Sequence, residues 1–421
     1  MNILLITKLW TGLVPFFTKK ENRAYGMPAF FNTLNILLSD DAIEKIYIIL
    51  FVKSSKKQRK TLKKQIPNVP TCYEHKLKIY QFHYNRYREI ILKFPLALLL
   101  ALWIVTTKKI KLVYGHGTVG ALAGLVSILT GVKNIRRVYG VSYLMKYIDK
   151  PKKMKFKEPL DYLTLTLPAE MLIITNDGSK GDALFSVLNK NKNKIKEFHF
   201  LINPVDKNIQ KKIKKPAINI DENSQYISYI SRIEKDKGQD KLIETLIILK
   251  ERGIKIKTYI IGQISDEPFY NELINKINQH SLNEYVHIIT GLPWEETMYI
   301  LARSTITCVF YKTPNLSNVF LEALSLGVPI IAINTYNSLH IIPDDVFYKL
   351  PETAHQEPKI IADALQELLS NEQKRRTISI KAKIFAMQTL QTWQERAKLE
   401  KQWIHKTANQ MTKGKLFGKS R

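Results

Sequence analysis

Short apolar runs alternate with longer amphipathic stretches along most of the chain, and no other feature narrows its possible folds so far. Runs of about four to eight residues, rich in Ile, Val and Tyr, read as strands at 2–7, 45–52, 78–82, 111–114, 135–139, 171–174 and 198–202. Helical patterns lie between them, among them 28–39, 86–107 and 118–130. A second series follows, with strands at 226–229, 257–261, 286–289, 306–309 and 329–333 and helices near 239–252, 267–279, 294–303 and 318–326. Strands that are apolar nearly throughout belong in parallel sheets covered by helices on both faces. The expected fold is α/β: two facing Rossmann-like, doubly wound domains followed by closing helices.

The two series part at 203–223, a polar stretch with Pro204, Pro216 and the cluster Lys211, Lys212, Lys214 and Lys215, which reads as a linker. The domains are therefore expected at 1–203 and 204–385, with a C-terminal helix at 386–410 and a basic, fraying tail at 411–421. The chain has 421 residues, 45% apolar and 24% charged, which excludes disorder and fibrous repeats as its overall class. Cys72 and Cys308 could form one bridge at most, so a disulfide scaffold and a four-cysteine zinc site are excluded and a reducing compartment fits. The opening residues 1–7 are apolar for too short a run to act as a signal segment. The longest charge-free apolar run, 94–105, is 12 residues, short of the ~18–20 that span a bilayer. A cytoplasmic protein, peripheral to a membrane at most, is expected.

Charge is the unusual quantity. The net formal charge is +28, and residues 1–200 hold 34 basic and 13 acidic residues, a net of +21. Such a field attracts polyanions, whether nucleic acid, acidic lipid headgroups or phosphorylated substrates, although a solvated lysine-rich surface reads the same way.

In α/β domains ligands bind beyond the carboxyl ends of the strands, so the strand-to-helix loops carry the search. The first is 231–238, SRIEKDKG, where Arg232 and Lys237 flank a helix start; fixed charge, a planar donor fork and free backbone N–H groups suit a diphosphate. The second is 312–329. Ser317 or Asn318 can cap its helix, Gly327 and Pro329 end it, and Glu322 stands among apolar residues. A carboxylate so placed needs a partner, either vicinal sugar hydroxyls or a lysine from a neighbouring helix. The third, Gly115-His116-Gly117-Thr118-Val119-Gly120, has GxGxxG spacing without the acid that a dinucleotide site needs about 20 residues on. Arg136 and Arg137 could instead meet the 2′-phosphate of NADP; otherwise the glycines let the loop approach a ligand, with His116 either lining the cleft or held structurally. The fourth is the loop after the first strand, where Gly12 could bring backbone N–H groups to a phosphate and Gly26 precedes a helix. No Asp-x-Asp pair, metal-ligand spacing, GxxxxGK[ST] loop or GxSxG elbow occurs, which removes ATPase and hydrolase readings and leaves no support for a metal.

Taken together, these loops resemble the retaining, nucleotide-sugar-dependent glycosyltransferases of family 4, which have the GT-B fold; the resemblance is strongest over 200–335. Asn203-Pro204-Val205-Asp206 is similar to the family's interdomain Asn-Gly-Val-Asp, 231–238 to its phosphate-binding Arg and Lys, and 318–329 to the second half of its Glu-x7-Glu motif. Trp393, Glu395 and Arg396 resemble its closing helix, which returns to the first domain. The resemblance implies that Arg232 and Lys237 neutralise the departing diphosphate and that Glu322 holds the ribose hydroxyls. It also implies that Gly291 and Leu292 touch the base, Asn318 and Val319 face pyrophosphate or sugar, Gly12 backs the phosphates, and His116 and Tyr139 lie on the acceptor side, His116 counting with Arg232 and Lys237 among the catalytic residues. Two positions depart: Pro314 stands where the family has its first Glu, and Tyr139-Gly140 where it often has His-Gly.

The implied activity is metal-independent transfer of a hexose-type unit from a UDP- or GDP-linked donor, with retention, to a polysaccharide or lipid-linked saccharide. The basic first half suggests an anionic membrane surface as partner, met through 53–60 and 84–93; nucleic acid is not expected, because no recognised binding motif accompanies the charge. The two departures keep an alternative in view, a catalytically weak or inactive nucleotide-sugar-binding or assembly protein.

Overall fold

The computed structural model describes residues 1–22, 27–66, 68–190, 194–221, 224–314 and 316–409; Gly26 and the basic tail at 411–421 lie outside the described residues. Contacts divide the chain into two units. The first holds Met1–Asn176, Lys180–Ile202 and the helix Trp393–Asn409; the second holds Asp177–Ser179 and Asn203–Thr392.

In the first unit β1 (Asn2–Lys8), β2 (Lys45–Lys53), β3 (Leu77–Tyr84), β4 (Ile110–His116), β5 (Lys133–Val138), β6 (Ala169–Asn176) and β7 (Ile195–Ile202) form one sheet, ordered β3-β2-β1-β4-β5-β6-β7. In the second, β8 (Tyr226–Ile230), β9 (Lys257–Ile261), β10 (Val286–Ile289), β11 (Ile306–Val309), β12 (Ile330–Ile333) and β13 (Tyr348–Leu350) are ordered β10-β9-β8-β11-β12-β13. All strand pairs are parallel. The twelve strands read from the sequence are all present. β13 was not read, because Tyr-Lys-Leu is too short and too polar to stand out as a run.

The doubly wound form follows from strands that are apolar on both faces. In β1, Ile3 and Leu5 pack with Phe30, Leu34 and Leu37 of the helix Pro28–Leu38 and Ile404 of the last helix. Leu4 and Ile6 pack on the opposite side with Ala97, Ala101 and Ile104 of the helix Tyr87–Thr107 and Leu122 and Val126 of Ala121–Thr130. Each sheet reverses its strand order once, between β1 and β4 and between β8 and β11, and ligand crevices form at the carboxyl side of such reversals.

The last helix is pinned to the first unit by a buried charge network. Arg137 of β5 pairs with Glu400, whose Oε2 also accepts from Thr33 Oγ1 at 2.8 Å and Tyr114 OH at 3.1 Å. Arg396 donates to the Ile202 carbonyl at 3.1 Å. These partners correct the NADP reading. Arg137 is spent on Glu400, Arg136 is fully buried and donates to the carbonyls of Leu163 and Leu167, and neither guanidinium can meet a ligand phosphate.

Candidate active site

In the second unit, β8 runs into the loop 231–238 and the helix Gln239–Glu251, while β11 runs into 310–317 and the helix Asn318–Leu326. Both loops thus leave neighbouring strands at the sheet's reversal. Gly238 lets them touch: its φ is +70°, and a Cβ there would stand 2.0 Å from the Phe310 carbonyl oxygen. Gln239 Nε2 closes the first loop, donating to Ser231 Oγ at 2.9 Å and to the Arg232 carbonyl at 2.8 Å.

Arg232 is exposed and lies 2.8 Å from Glu234. Lys237 is half-buried, its Nζ 4.3 Å from the centre of the Tyr311 ring. Burial pulls the Lys237 ammonium below the usual lysine range, and the nearby Arg232 charge pulls it further. Two cations close enough to oppose one another favour an anion between them. Tyr311 is where the elements converge: it is buried, donates to the Ile230 carbonyl at 3.1 Å, and meets the hydroxyls of Ser317 and Ser231. The charges of Arg232 and Glu322 both act on its phenol, which burial pushes up to about 12. Arg232, Lys237 and Glu322, singled out separately in the sequence, therefore share one neighbour.

The helix Asn318–Leu326 is capped by Ser317, whose side chain accepts from Phe320 N at 3.2 Å, and ends at Gly327 with φ +71°. Its N-terminus is tied to the Asn203–Asp206 motif: Asn203 Nδ2 donates to Asn318 Oδ1 at 2.9 Å. Val319 is half-buried in the same turn, and the half-buried Pro314 lies in the loop before it. Among the described residues no lysine pairs with Glu322. Trp294 Nε1 donates to its Oε1 at 2.9 Å, and among the described residues no donor meets Oε2. Burial raises the carboxyl to about 7, with the indole hydrogen bond pulling the other way. Gly291 holds φ +77° with open space where a Cβ would be, and the turn with Leu292 leads into Trp294 at the head of the helix Trp294–Arg303. Tyr311 and Trp294 are the site residues that sequence reading missed. Their one signal was position, just past a strand and just past the Gly291 turn.

In the first unit a cavity of about 400 Å³ lies at the reversal between β1 and β4, lined by Lys8, Trp10, Tyr87, Tyr139, Tyr143 and Asp161. Asp161 accepts from Tyr143 OH at 2.8 Å, and burial raises its carboxyl while lowering the Lys8 ammonium. Asp161 was another residue missed; nothing in PLDYLTLT marks it out. His116 does not line this cavity. It is 1% exposed, packed between Tyr114 and Phe30, with Nδ1 2.7 Å from the Tyr139 hydroxyl. Burial keeps the imidazole neutral and the Tyr139 phenol protonated, so the phenol donates to Nδ1 and the proton sits on Nε2, which is buried without a partner. Tyr139 forms the wall and His116 fixes it from behind. Gly12 sits in the turn Thr11–Leu13 that follows Trp10.

Two Rossmann-like domains of parallel strands, with cations and a carboxylate at a sheet reversal, define the class of fold as GT-B. Residues 210–385 match the family described as Glycosyl transferases group 1, across most of the second unit. A capsular polysaccharide biosynthesis glycosyltransferase of Staphylococcus aureus, CapM, is 25% identical over 154 residues. That alignment spans 36% of this chain and 38% of CapM. Anabaena HepE in complex with UDP superposes with a TM-score of 0.65 at 14% identity, covering 96% of this chain and 100% of HepE. Sucrose-phosphate synthase of Thermosynechococcus elongatus gives 0.66 at 14% identity, covering 96% and 98%. The solved structures share the two-domain GT-B fold, and the match to the group 1 glycosyl transferases lies within residues 210–385.

Proposed function

We propose that this protein transfers a hexose-type unit from a UDP- or GDP-linked sugar, with retention of configuration, to a growing polysaccharide or lipid-linked saccharide at the inner face of the cell membrane. The observation that carries the reading is the convergence of Arg232, Lys237 and Glu322 around Tyr311. The bond between the sugar's anomeric carbon and the diphosphate oxygen breaks with its electron pair leaving on the phosphate, while an acceptor hydroxyl oxygen bonds to that carbon and passes its proton to the departing diphosphate. Negative charge grows on the departing diphosphate as the sugar becomes oxocarbenium-like. Cations already held in place stabilise that state more than the ground state. Arg232 and Lys237 supply this charge, so the reading invokes no divalent metal.

Glu322 accepts from the ribose hydroxyls beside the Trp294 indole, with the Gly291-Leu292 turn at the base and Asn318 and Val319 at the helix N-terminus facing pyrophosphate or sugar. Tyr139, held by His116, and Asp161 take the acceptor, the carboxylate being suited to accept hydroxyl hydrogen bonds between aromatic walls. The CapM name and the UDP bound to HepE support this assignment of acceptor and donor class.

The test is a panel of UDP- and GDP-sugars incubated with the full chain and membrane-extracted lipid-linked saccharides, reading nucleotide release and the anomeric configuration of the product. Release with an axial donor giving an axial product is expected, and an inverted product would overturn the retaining mechanism. Tight UDP binding without turnover on any donor would instead leave a nucleotide-sugar-binding protein, consistent with Pro314 in the place of a carboxylate.

A further inference from the structure

The helix Tyr87–Thr107 is the one helix among the described residues long and apolar enough to cross a membrane by length and composition, yet only 33% of its most apolar window is buried. One side packs into the core of the first unit through Ile90, Phe94, Ala97, Ala101, Ile104 and Val105. The other presents Leu92, Leu96, Leu99 and Trp103 to solvent, spaced at four, three and four residues and between 48 and 76% exposed. Residues at that spacing form a single stripe. Arg86 and Arg88 stand at one end and Lys108 and Lys109 at the other, the Lys108 ammonium 5.3 Å from the Trp103 ring centre. The helix's one acid, Glu89, is half-buried beside Arg59 and Lys93. The exposed Ile128 and Leu129 lie on the adjoining helix Ala121–Thr130. Beside Trp103 a groove of about 540 Å³ is lined by Lys45, Lys78, Lys108 and Tyr80, with Glu74 as its one acid.

We propose that this outward face lies in the boundary between headgroups and acyl chains of an acidic phospholipid membrane, with the lysine groove beside Trp103 receiving phosphate headgroups. An apolar stripe with cations at its ends and an indole at its edge is the pattern of an in-plane helix. Crossing the bilayer is excluded by the packing, because it would strip the opposite face from β1, β2 and β4. Charge decides the occupant. A second copy would bring another strongly basic first half, +21 over residues 1–200, against the same flank, whereas an anionic leaflet complements it. The docking residues read from sequence, 84–93, cover only the start of this face.

The inference rests on the membrane setting of the proposed function and not on the reaction. The full chain is tested by cosedimentation with phosphatidylcholine vesicles with and without phosphatidylglycerol. Binding to the anionic vesicles and a blue shift of tryptophan emission that Trp103→Phe removes are expected. Leu96→Glu with Leu99→Glu should lower vesicle affinity tenfold or more, and Lys45→Glu with Lys78→Glu should do so most at low salt, while both leave UDP binding and circular dichroism unchanged. Undiminished vesicle binding by the leucine variant, or a dimer that the leucine variant abolishes with no vesicle binding by the unmodified chain, would overturn the proposal. Should the leucine variant not fold, Trp103→Ala and the emission shift decide alone. Failure of UDP to bind the unmodified chain would count against the reaction and leave the docking face standing.

Discussion

Glu322 is the residue where the chemistry can be read most sharply. Its carboxyl is raised to about 7 from an ordinary 4.5, so between those values the folded protein holds a proton that the unfolded chain does not. For this group, stability of the second unit falls as pH rises from about 4.5 to about 7. If Glu322 holds the ribose as proposed, nucleotide binding runs the other way, because the ionised carboxylate is the form that accepts from both hydroxyls. UDP affinity is expected to rise between about pH 6 and pH 8, and Glu322→Gln to lose that rise. Calorimetric titration of both proteins across the range checks it; parallel profiles would remove Glu322 from the ribose. Arg232 and Lys237 stand out in the sequence as cations in a loop after an apolar strand, and Glu322 as a lone carboxylate in an otherwise apolar helix. Tyr311, Trp294 and Asp161 do not, since an aromatic or acidic residue acquires its role only from what the fold sets against it. Arg136 and Arg137 were misread for the same reason: nothing local announces that a guanidinium is buried and who its partner is.

At the scale of elements, the contact between the Gly238 turn and the end of β11 holds the loop 231–238 in place. Gly238→Ala adds a Cβ 2.0 Å from the Phe310 carbonyl at φ +70° and should cost about 2 kcal/mol or more. Urea unfolding should show the lower midpoint, and UDP affinity should fall with it because Arg232 and Lys237 move. The companion Gly253→Ala, at φ +78° but with open space around its Cβ, should cost only about 1 kcal/mol. Twelve of the thirteen strands among the described residues were legible from the rhythm of apolar runs, which is strongest where a strand is buried on both faces. β13 was lost because it is three residues long with a lysine at its centre. The helix Tyr87–Thr107 was visible as a pattern, but the exposure of its leucines was not, since an apolar stripe reads alike whether it faces core or solvent.

For the whole molecule, the last helix joins residues nearly at the end of the chain to the sheet built by its beginning. Glu400→Ala would leave the Arg137 guanidinium buried without its counter-charge, at a cost of about 3–5 kcal/mol. Scanning calorimetry should show the transition of the first unit lowered by about 10 °C. An unchanged profile would mean that the network adds nothing to the attachment of the helix. The family resemblance lay in the second unit, where residues 210–385 match the group 1 glycosyl transferases. The first unit, with its basic charge and the cavity lined by Tyr139 and Asp161, was the less legible half. The account as a whole turns on nucleoside diphosphate binding at Arg232, Lys237 and Glu322, and isothermal titration of UDP and GDP into the unmodified chain and Lys237→Ala tests it most directly. One-to-one binding of one nucleotide, weakened by about tenfold or more on loss of the ammonium, is the expected result; no binding by the folded chain, or equal binding by both proteins, would contradict it.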